Sequence, residues 1–371
     1  MNKTPDITIV GGGVIGLLTA REFVNAGATV TLIDKSQLGQ ESSWAGGGIL
    51  LPLYPWRQAE AISSLVLQSL KLYPSLATQL LENTGKDPEW TPCGLLITKN
   101  PDFTTAVDWC QRHQIRFEPA PSDFFTTLNT QADQPLWLPD IAQARNPRLV
   151  KSLIQDLYNK GVTLQTHCEI SGITLANDHI THLTTSKGTL AINQLIISAG
   201  AWTGSLFKQL FPDLLTYTPQ VAPVKGQMLL FETQPDTLRT MVLDGDQYLI
   251  PRRDGKILAG STVEQADFNK NTTVAARERL TDFALNLLPA LKKAPLLHHW
   301  AGLRPGTEQG IPYIDKHPNI TNLSINAGHF RNGLVMGPAS AQLMVDLILN
   351  RPTAVDPAPY QLNRSGNNKS N

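Results

Sequence analysis

The sequence predicts an α/β fold, with one lobe built on a parallel sheet and an α+β lobe built on an antiparallel sheet. Near the amino terminus, the β-branched run DITIV (6–10) precedes a glycine cluster and an apolar pattern with helical spacing. That order is typical of a strand, turn and helix from a parallel sheet. Further along, YLIPRR and KILAGS flank Asp254-Gly255, a turn pair that indicates an antiparallel hairpin.

Composition excludes several classes of protein. The 371 residues carry 31 Lys and Arg against 31 Asp and Glu, so a surface for nucleic acid or anionic membrane is not expected. No apolar stretch reaches the ~18 residues of a membrane-spanning helix. Cys93, Cys110 and Cys168 lack the spacing of a zinc site or a disulfide framework, so we expect no metal and a reducing, cytoplasmic location.

The first glycine cluster predicts a Rossmann-like dinucleotide site. Gly11, Gly13 and Gly16 form GxGxxG at the strand-to-helix junction, where bare backbone and a helix N-terminus favour a pyrophosphate. A second strand pattern ends at Asp34, and an acid there can bind ribose hydroxyls. The alternative is an ordinary glycine-rich turn with Asp34 capping a loop.

The segment after Asp34 favours a flavin over a nicotinamide cofactor. A nicotinamide domain usually continues with a third strand and helix. Here a polar loop with a second glycine cluster, GQESSWAGGG, leads into a long helical pattern over about 57–82. A second backbone loop of this kind suits a dinucleotide with a large ring system.

Three stretches carry a resemblance to a known family: SSWAGGGI (42–49), GLRPGTEQGIPYID (302–315) and INAGHFRNGLVMGPASAQLM (325–344). In order, and over essentially the whole chain, the sequence resembles the D-amino-acid oxidase superfamily of FAD enzymes. Within it, the likeness is greatest to glycine oxidases of the thiamine-biosynthesis type. The resemblance implies non-covalent FAD, because PGTEQGIPYID contains none of the cysteines that tether flavin in some relatives.

The resemblance also implies which residues hold FAD. The diphosphate, ribose and phosphate contacts fall on Val14, Ile15, Asp34, Lys35, Ser42 and Ser43, beside the GxGxxG glycines. The flavin ring falls on Gly47, Gly48, Ile49, His329, Phe330, Arg331, Asn332, Gly333, Leu334 and Val335. The adenosine part falls on Ile170, at the end of a strand expected over 162–170, and on Ala199 and Gly200. Ile170 could equally be a core residue, and residues 329–335 could form only a loop and helix cap.

The implied substrate residues are Tyr248, Arg304 and Arg331. Arg304 is expected to clamp a carboxylate, Tyr248 to donate its hydroxyl to that carboxylate, and Arg331 to flank the site. A single arginine is more often a surface charge, but both of these lie in glycine-flanked motifs. Asp246 stands where some glycine oxidases have histidine, so the charge of that rim is open.

We expect the FAD lobe to comprise residues 1–85, 145–215 and 300–352, with a meander that turns at 177–178 and 187–188. Residues 86–144 and 216–299 form the substrate lobe, a D-amino-acid oxidase-like arrangement. Residues 353–371 are expected to be a polar tail without structure.

The expected activity is oxidative deamination of glycine, sarcosine, D-alanine or D-proline, with hydride transfer to flavin N5 and O2 as acceptor. The imine would serve thiamine thiazole synthesis or hydrolyse to glyoxylate and ammonia, with hydrogen peroxide as the other product. No side chain is expected to act as acid or base. Alternatives are a quinone-linked D-amino-acid or sarcosine dehydrogenase and a non-catalytic flavin-binding maturation partner, and a homo-oligomer is possible.

Overall fold

A computed structural model describes residues 4–99, 102–130, 134–214 and 216–364. The helices in chain order are α1 Val14–Asn25, α2 Ser42–Ala45, α3 Glu60–Thr84, α4 Phe103–Arg112, α5 Phe124–Thr127, α6 Asn146–Asn159, α7 Thr203–Leu210, α8 Val274–Leu287 and α9 Gly333–Ile348. Within those residues, no helix has the length and apolarity to cross a membrane.

The strands are β1 Ile7–Val10, β2 Val30–Ile33, β3 Thr91–Pro92, β4 Leu95–Ile97, β5 Glu118–Pro119, β6 Leu136–Leu138, β7 Ala142–Gln143, β8 Thr163–Gln165, β9 Ile170–Ala176, β10 His179–Thr185, β11 Gly188–Ala191, β12 Gln194–Ile197, β13 Ala222–Phe231, β14 Met241–Asp244, β15 Gln247–Pro251, β16 Ile257–Gly260, β17 Leu296–Gly306, β18 Tyr313–Lys316 and β19 Leu323–Ala327.

A six-stranded sheet forms the first lobe, in the order β18-β19-β12-β1-β2-β8. All its pairings are parallel except that of β18 with β19. Its strands are buried on both faces: Ile9 and Leu32 pack among α1, α3, α6 and α9, while Val10 and Ile33 pack against the meander β9-β10-β11 and α7. A parallel sheet covered on both faces explains the continuous apolar runs of these strands.

The second lobe contains an eight-stranded sheet, β17-β13-β16-β15-β14-β4-β6-β5, which is antiparallel except between β14 and β4. The predicted hairpin at Asp254-Gly255 joins β15 to β16, with Pro251 opposite Ile257. Helix α8 covers one face of the sheet, where Leu280 packs with Leu249. The predicted fold class and the predicted meander are therefore confirmed.

Two expectations about local structure were wrong. The strand expected over 162–170 ends at Gln165: His167 has a left-handed backbone, with φ of 49°, and Ile170 starts a strand of the meander. The tail expected to lack structure is anchored as far as Arg364. There Tyr360 is fully buried and donates a hydrogen bond to the Ala61 carbonyl, at 2.7 Å. Residues 365–371 lie outside the described residues.

The antiparallel sheet extends past one of the expected lobe boundaries. Residue 300 falls inside β17, which pairs along its length with β13. Arg304 and the glycines on either side of it therefore belong to the antiparallel sheet. The other lobe boundaries stay predictions.

Candidate active site

A cleft runs between the two lobes from the carboxyl ends of β1 and β2 to the face of the antiparallel sheet. Its walls include every predicted cofactor and substrate residue except Gly16. Gly16 packs instead beneath the first turn, where a side chain would overlap the carbonyl oxygen of Gly11. The glycine thus permits the close packing of α1 that the motif predicts.

The first glycine cluster opens one end of the cleft. Gly11 has φ of +106°, and a side chain there would overlap the Ser198 carbonyl at the end of β12. Gly13 is the N-cap of α1 without a side-chain cap, and Ser43 Oγ accepts the Val14 amide at 2.8 Å. The start of α1 therefore faces the cleft with bare backbone and a serine hydroxyl, a donor set that suits a diphosphate.

Asp34 links the first turn to the second strand. Its Oδ2 accepts the Gly12 amide at 2.7 Å, and its Oδ1 accepts the Ser36 amide at 2.8 Å. The Ser36 hydroxyl also donates to Oδ1, at 3.2 Å, so Oδ2 is the oxygen that keeps a lone pair available to a hydroxyl group on the cleft side. Next to it, Lys35 Nζ lies 4.1 Å from the ring centroid of Trp202. Burial lowers the pKa of Lys35, with the carboxylate of Glu41 acting in the opposite direction.

The second glycine cluster passes below Tyr248. A side chain on Gly47 would come within 3.2 Å of the Tyr248 ring, and one on Gly48, whose φ is +88°, would overlap the Ala144 carbonyl. Arg252 Nη2 donates to the Gly47 carbonyl at 2.8 Å. Asn146 donates to the Ser43 carbonyl at 2.9 Å, and its buried Oδ1 has no partner within the described residues. The loop therefore offers the cleft a flat, glycine-lined surface.

The substrate residues converge at the antiparallel sheet. The Arg304 guanidinium lies over Gly226 and donates to the Thr262 carbonyl at 3.0 Å and to Ser261 Oγ at 2.8 Å. Tyr248 is buried beside it, and Arg331 lies exposed at the mouth. Burial lowers the pKa of Arg304, Tyr248 acts to raise it, and Arg331 lowers it further.

These two arginines form a cationic site. Neither Arg304 nor Arg331 takes part in a salt bridge within the part of the chain that the structure describes. Buried cations without a carboxylate partner are costly, and a planar guanidinium matches a carboxylate ligand. The arrangement favours an anionic group here.

The carboxyl-terminal motif forms the wall between the two ends. His329 Nε2 lies 2.9 Å from Ser340 Oγ, and burial lowers the pKa of His329 to about 3, so the imidazole is neutral. The Phe330 amide donates to the Pro305 carbonyl at 2.9 Å. Helix α9 then begins at Gly333 without a side-chain cap from Asn332, which leaves its positive end toward the cleft.

At the adenosine end of the cleft, the predicted residues line the wall, but some of their neighbours there were not predicted. Ile170, Ala199 and Gly200 line the cleft with Glu169 and Trp202, which the sequence prediction missed. Sequence reasoning also missed other residues along the cleft, among them Asn146, Gly226 and Met228. Gly226 pairs with Gly302, two residues before Arg304, so a glycine diagonal to the arginine on a paired strand is a signal that could have identified it.

Comparison with known proteins decides the family. The sequence profile described as "DAO: FAD dependent oxidoreductase" matches residues 6–347. The chain belongs to the FAD-dependent oxidoreductase (DAO) family. FAD is therefore its cofactor, as predicted.

Within this FAD-dependent oxidoreductase family, the chain is similar to glycine oxidases and to bifunctional ThiO/ThiG proteins. The glycine oxidase of Pseudomonas putida is 44% identical over 359 residues, which are 95% of this chain and 97% of that protein. A bifunctional protein ThiO/ThiG of Synechocystis is 30% identical over 95% of this chain and 52% of its own. The crystal structure of glycine oxidase from Geobacillus kaustophilus superposes with a TM-score of 0.87, at 28% identity over 97% of this chain and 99% of its own.

The residues of the cleft fit FAD. The start of α1, the Asp34 carboxylate and the flat Gly47–Gly48 backbone are spaced along one continuous cleft. Side chains at Gly47 or Gly48 would fill or distort the surface between the two lobes. Asn146 Oδ1 and His329 Nδ1 are buried along this cleft with no partner in the described residues, as polar groups that await a ligand would be.

Proposed function

We propose that this protein oxidises glycine and other small amines, including sarcosine, D-alanine and D-proline, with O2 as acceptor. From glycine the products would be the imine and hydrogen peroxide, and water would then hydrolyse the imine to glyoxylate and ammonia. The names of the similar proteins from Pseudomonas putida and Geobacillus kaustophilus support this proposal. We further propose that the imine serves thiamine thiazole synthesis, as the resemblance to that type of glycine oxidase implies.

The observation that carries the proposal is the Arg304 guanidinium, which has no carboxylate partner in the described chain and lies beside Tyr248 over Gly226. Arg304 would bind the substrate carboxylate with charge-assisted hydrogen bonds, and Tyr248 would donate its hydroxyl to that group. Arg331 would add positive charge at the mouth. This arrangement orients a small zwitterion by its carboxylate and leaves the α-carbon toward Gly47 and Gly48.

The same part of the cleft favours a short substrate. Leu51, Leu53 and Met228 line it together with Ile49. These apolar side chains accept a methyl group or a small ring and disfavour a second charge. Glycine, sarcosine and D-alanine therefore fit this environment better than acidic or basic amino acids.

FAD would be held by the residues assigned to it from the sequence, and when bound it supplies a hydride acceptor for the α-carbon. We propose that the chain contributes orientation and charge rather than an acid or base. His329 fits this proposal because burial lowers its pKa to about 3, so its imidazole stays neutral and is a weak base, and because its Nε2 pairs with Ser340.

We propose that FAD is bound without a covalent link and that the protein works in the cytoplasm. Cys168 is the cysteine that lines the cleft, and it lies beside Ile170 at the adenosine end, away from the residues assigned to the flavin ring. Acid precipitation should release all the yellow colour into the supernatant.

All three cysteines are free, which suits a reducing compartment such as the cytoplasm.

An anaerobic titration tests the function. The visible spectrum of the purified holoenzyme is recorded with glycine, sarcosine, D-alanine and D-proline, and then after air is admitted. We expect glycine to bleach the flavin and oxygen to restore it. Bleaching that only a quinone or dye reverses at speed would indicate a dehydrogenase. If none of the four compounds bleaches the flavin, the proposed function is wrong.

A further inference from the structure

A second cavity, of about 730 Å³, shares Gly46 with the cleft but opens elsewhere between the lobes. This volume is in the range that holds small-molecule ligands. Its walls come from α2, from the start of α6, and from β13, β16 and β17. None of the residues assigned to FAD or substrate lines it.

The charge of this cavity is strongly positive. Five cations line it against one carboxylate, Asp87; the cations are Lys86, Arg145, Arg148, Lys151 and Arg252. Asp87 is already paired with Arg253, at 2.6 Å.

Nearby carboxylates neutralise only part of that charge. Glu89 pairs with Arg145 and Arg148, and Asp254 pairs with Arg145. Among the described residues, Lys86, Lys151 and Arg252 form no salt bridge. The cavity therefore keeps an excess of positive charge.

Three of these cations lie near the amino-terminal end of α6. Arg145 is the N-cap of the 14-residue α6 and makes no side-chain cap bond, while Arg148 and Lys151 follow in the first two turns. The helix dipole puts partial positive charge at this end and acts mainly within the first turn, where Glu89 already offsets it for Arg145 and Arg148. Lys151 in the second turn has no carboxylate partner among the described residues, so a further anion in the cavity would reduce the repulsion among these cations.

Arg252 is a second and independent indication of an anion. Its side chain is only 7% exposed, and its Nε has no hydrogen-bond partner in the described structure. Its other nitrogens donate to neutral acceptors, Gln143 Oε1 and the Gly47 carbonyl. A buried guanidinium without a counter-ion lining a basic cavity fits a site for a negatively charged group.

The rest of the wall is aromatic and apolar. Trp44 and Trp300 meet edge to face with centroids 5.7 Å apart, and Leu230 and Leu258 lie alongside them. Trp44 is 40% exposed, an uncommon exposure for so large an apolar ring. An aromatic ring can stack there while its charged group meets the cations.

We propose that this cavity is a binding site for a small aromatic anion, distinct from the cofactor and substrate sites. The cations at the start of α6 and Lys86 would hold the anionic group. The two tryptophans would hold the ring.

The test uses the FAD-loaded enzyme and phenyl phosphate as probe, with calorimetry and tryptophan fluorescence as readouts. We expect saturable binding that weakens as salt is raised. Phenol, which lacks the phosphate, and inorganic phosphate, which lacks the ring, should each bind at least tenfold more weakly. Absence of saturable binding by phenyl phosphate overturns the proposal.

Variants locate the binding site. The double variant Lys86→Gln, Lys151→Gln breaks no ion pair among the described residues and should weaken phenyl phosphate binding about tenfold. Lys160→Gln, at the other end of α6, should leave that binding unchanged. Trp44→Leu should reduce phenyl phosphate binding to the level of inorganic phosphate. Arg304→Ala should bind phenyl phosphate as the wild type does. Loss of binding in Arg304→Ala, or unchanged binding in the double variant, would place the anion elsewhere and contradict the proposal.

Discussion

Arg252, on the strand-to-turn boundary after β15, donates a hydrogen bond to the carbonyl oxygen of Gly47 across the lobe interface, at 2.8 Å. The same guanidinium donates to Gln143, whose amide donates to the Pro251 carbonyl at 2.6 Å. Burial lowers the pKa of Arg252 to about 10, so the side chain stays charged at neutral pH. A buried cation thus fixes the backbone of the second glycine cluster.

Replacing Arg252 by methionine should loosen this loop and weaken FAD binding by about tenfold or more, because two buried acceptors lose their donors. Titration of the apoprotein with FAD, followed by flavin fluorescence, measures the effect. Arg253→Met is the matched control, since that neighbour is exposed and pairs with Asp87. Equal FAD affinities for the two variants would contradict a positioning role.

Replacing Arg304 by alanine should raise KM for glycine about 10- to 100-fold, since the carboxylate loses its charged hydrogen-bond donor. FAD should remain bound. Arg304→Lys keeps the charge but not the planar fork, so its KM should lie between those of wild type and Arg304→Ala. Steady-state oxygen consumption measures both, and unchanged glycine kinetics in Arg304→Ala would refute the assignment.

Replacing Gly226 by alanine should impair glycine oxidation although every substrate residue remains. The new methyl group would overlap the Arg304 guanidinium and displace it. A shift of ~1 Å in a positioning group can reduce kcat/KM about 100-fold. Gly172→Ala, at an open position on β9, is the control. Wild-type kcat/KM in Gly226→Ala would show that Arg304 does not need its present position.

The buried His329 predicts loss of stability in acid. Its folded pKa of about 3 lies below the ordinary value of 6.5, so the unfolded chain takes up the proton first as the pH falls. The free energy of unfolding is therefore unaffected well above pH 6.5 and decreases below it, by about 2 kcal/mol between pH 7 and pH 5.

Urea denaturation at pH 7 and pH 5 measures this decrease in the free energy of unfolding. His329→Gln, which can still pair with Ser340, should show a correspondingly smaller decrease, whereas the exposed His298→Gln should match the wild type. An equally steep loss in all three proteins would assign the acid sensitivity to other groups.

Tyr360 predicts that the carboxyl-terminal segment supports the fold. Tyr360→Ala should lower the free energy of unfolding by about 3 kcal/mol or more, because it empties a fully buried site and removes the bond to Ala61. Tyr158→Ala is the control, since that side chain is 72% exposed. Denaturant midpoints of the two variants that coincide would show that the segment is dispensable.

The sequence was sufficient where a local pattern determines local structure. GxGxxG followed by Asp34, and Asp254-Gly255 between two strand patterns, specify turns that depend on few distant contacts. The family resemblance predicted most of the cleft residues, because each matched motif fixes the positions of its residues relative to one another. Their roles in binding remain predictions, although the structure places them along one cleft.

What the sequence could not predict depends on distant packing. The apolar spacing of VTLQTHCEI continues through His167, but the left-handed turn there is held by contacts from the chain after β2, where the Asp34 carbonyl accepts the Cys168 amide at 2.8 Å. Likewise, the polar composition of the last residues hides Tyr360 and Leu362, which fill gaps between elements far away in sequence. The contact of Arg252 with Gly47 could not be predicted either, because it depends on how the two lobes are placed relative to each other.

The order of strands in the parallel sheet has a consequence for biosynthesis. β1 pairs with β2 and β12, and β12 pairs at its other edge with β19, so the centre of the sheet is complete only when residues near the end of the chain have been made. Such long-range pairing slows folding and leaves apolar strand edges open during translation. We therefore expect nascent chains that stop short of residue 323 to depend on chaperones and to acquire no flavin.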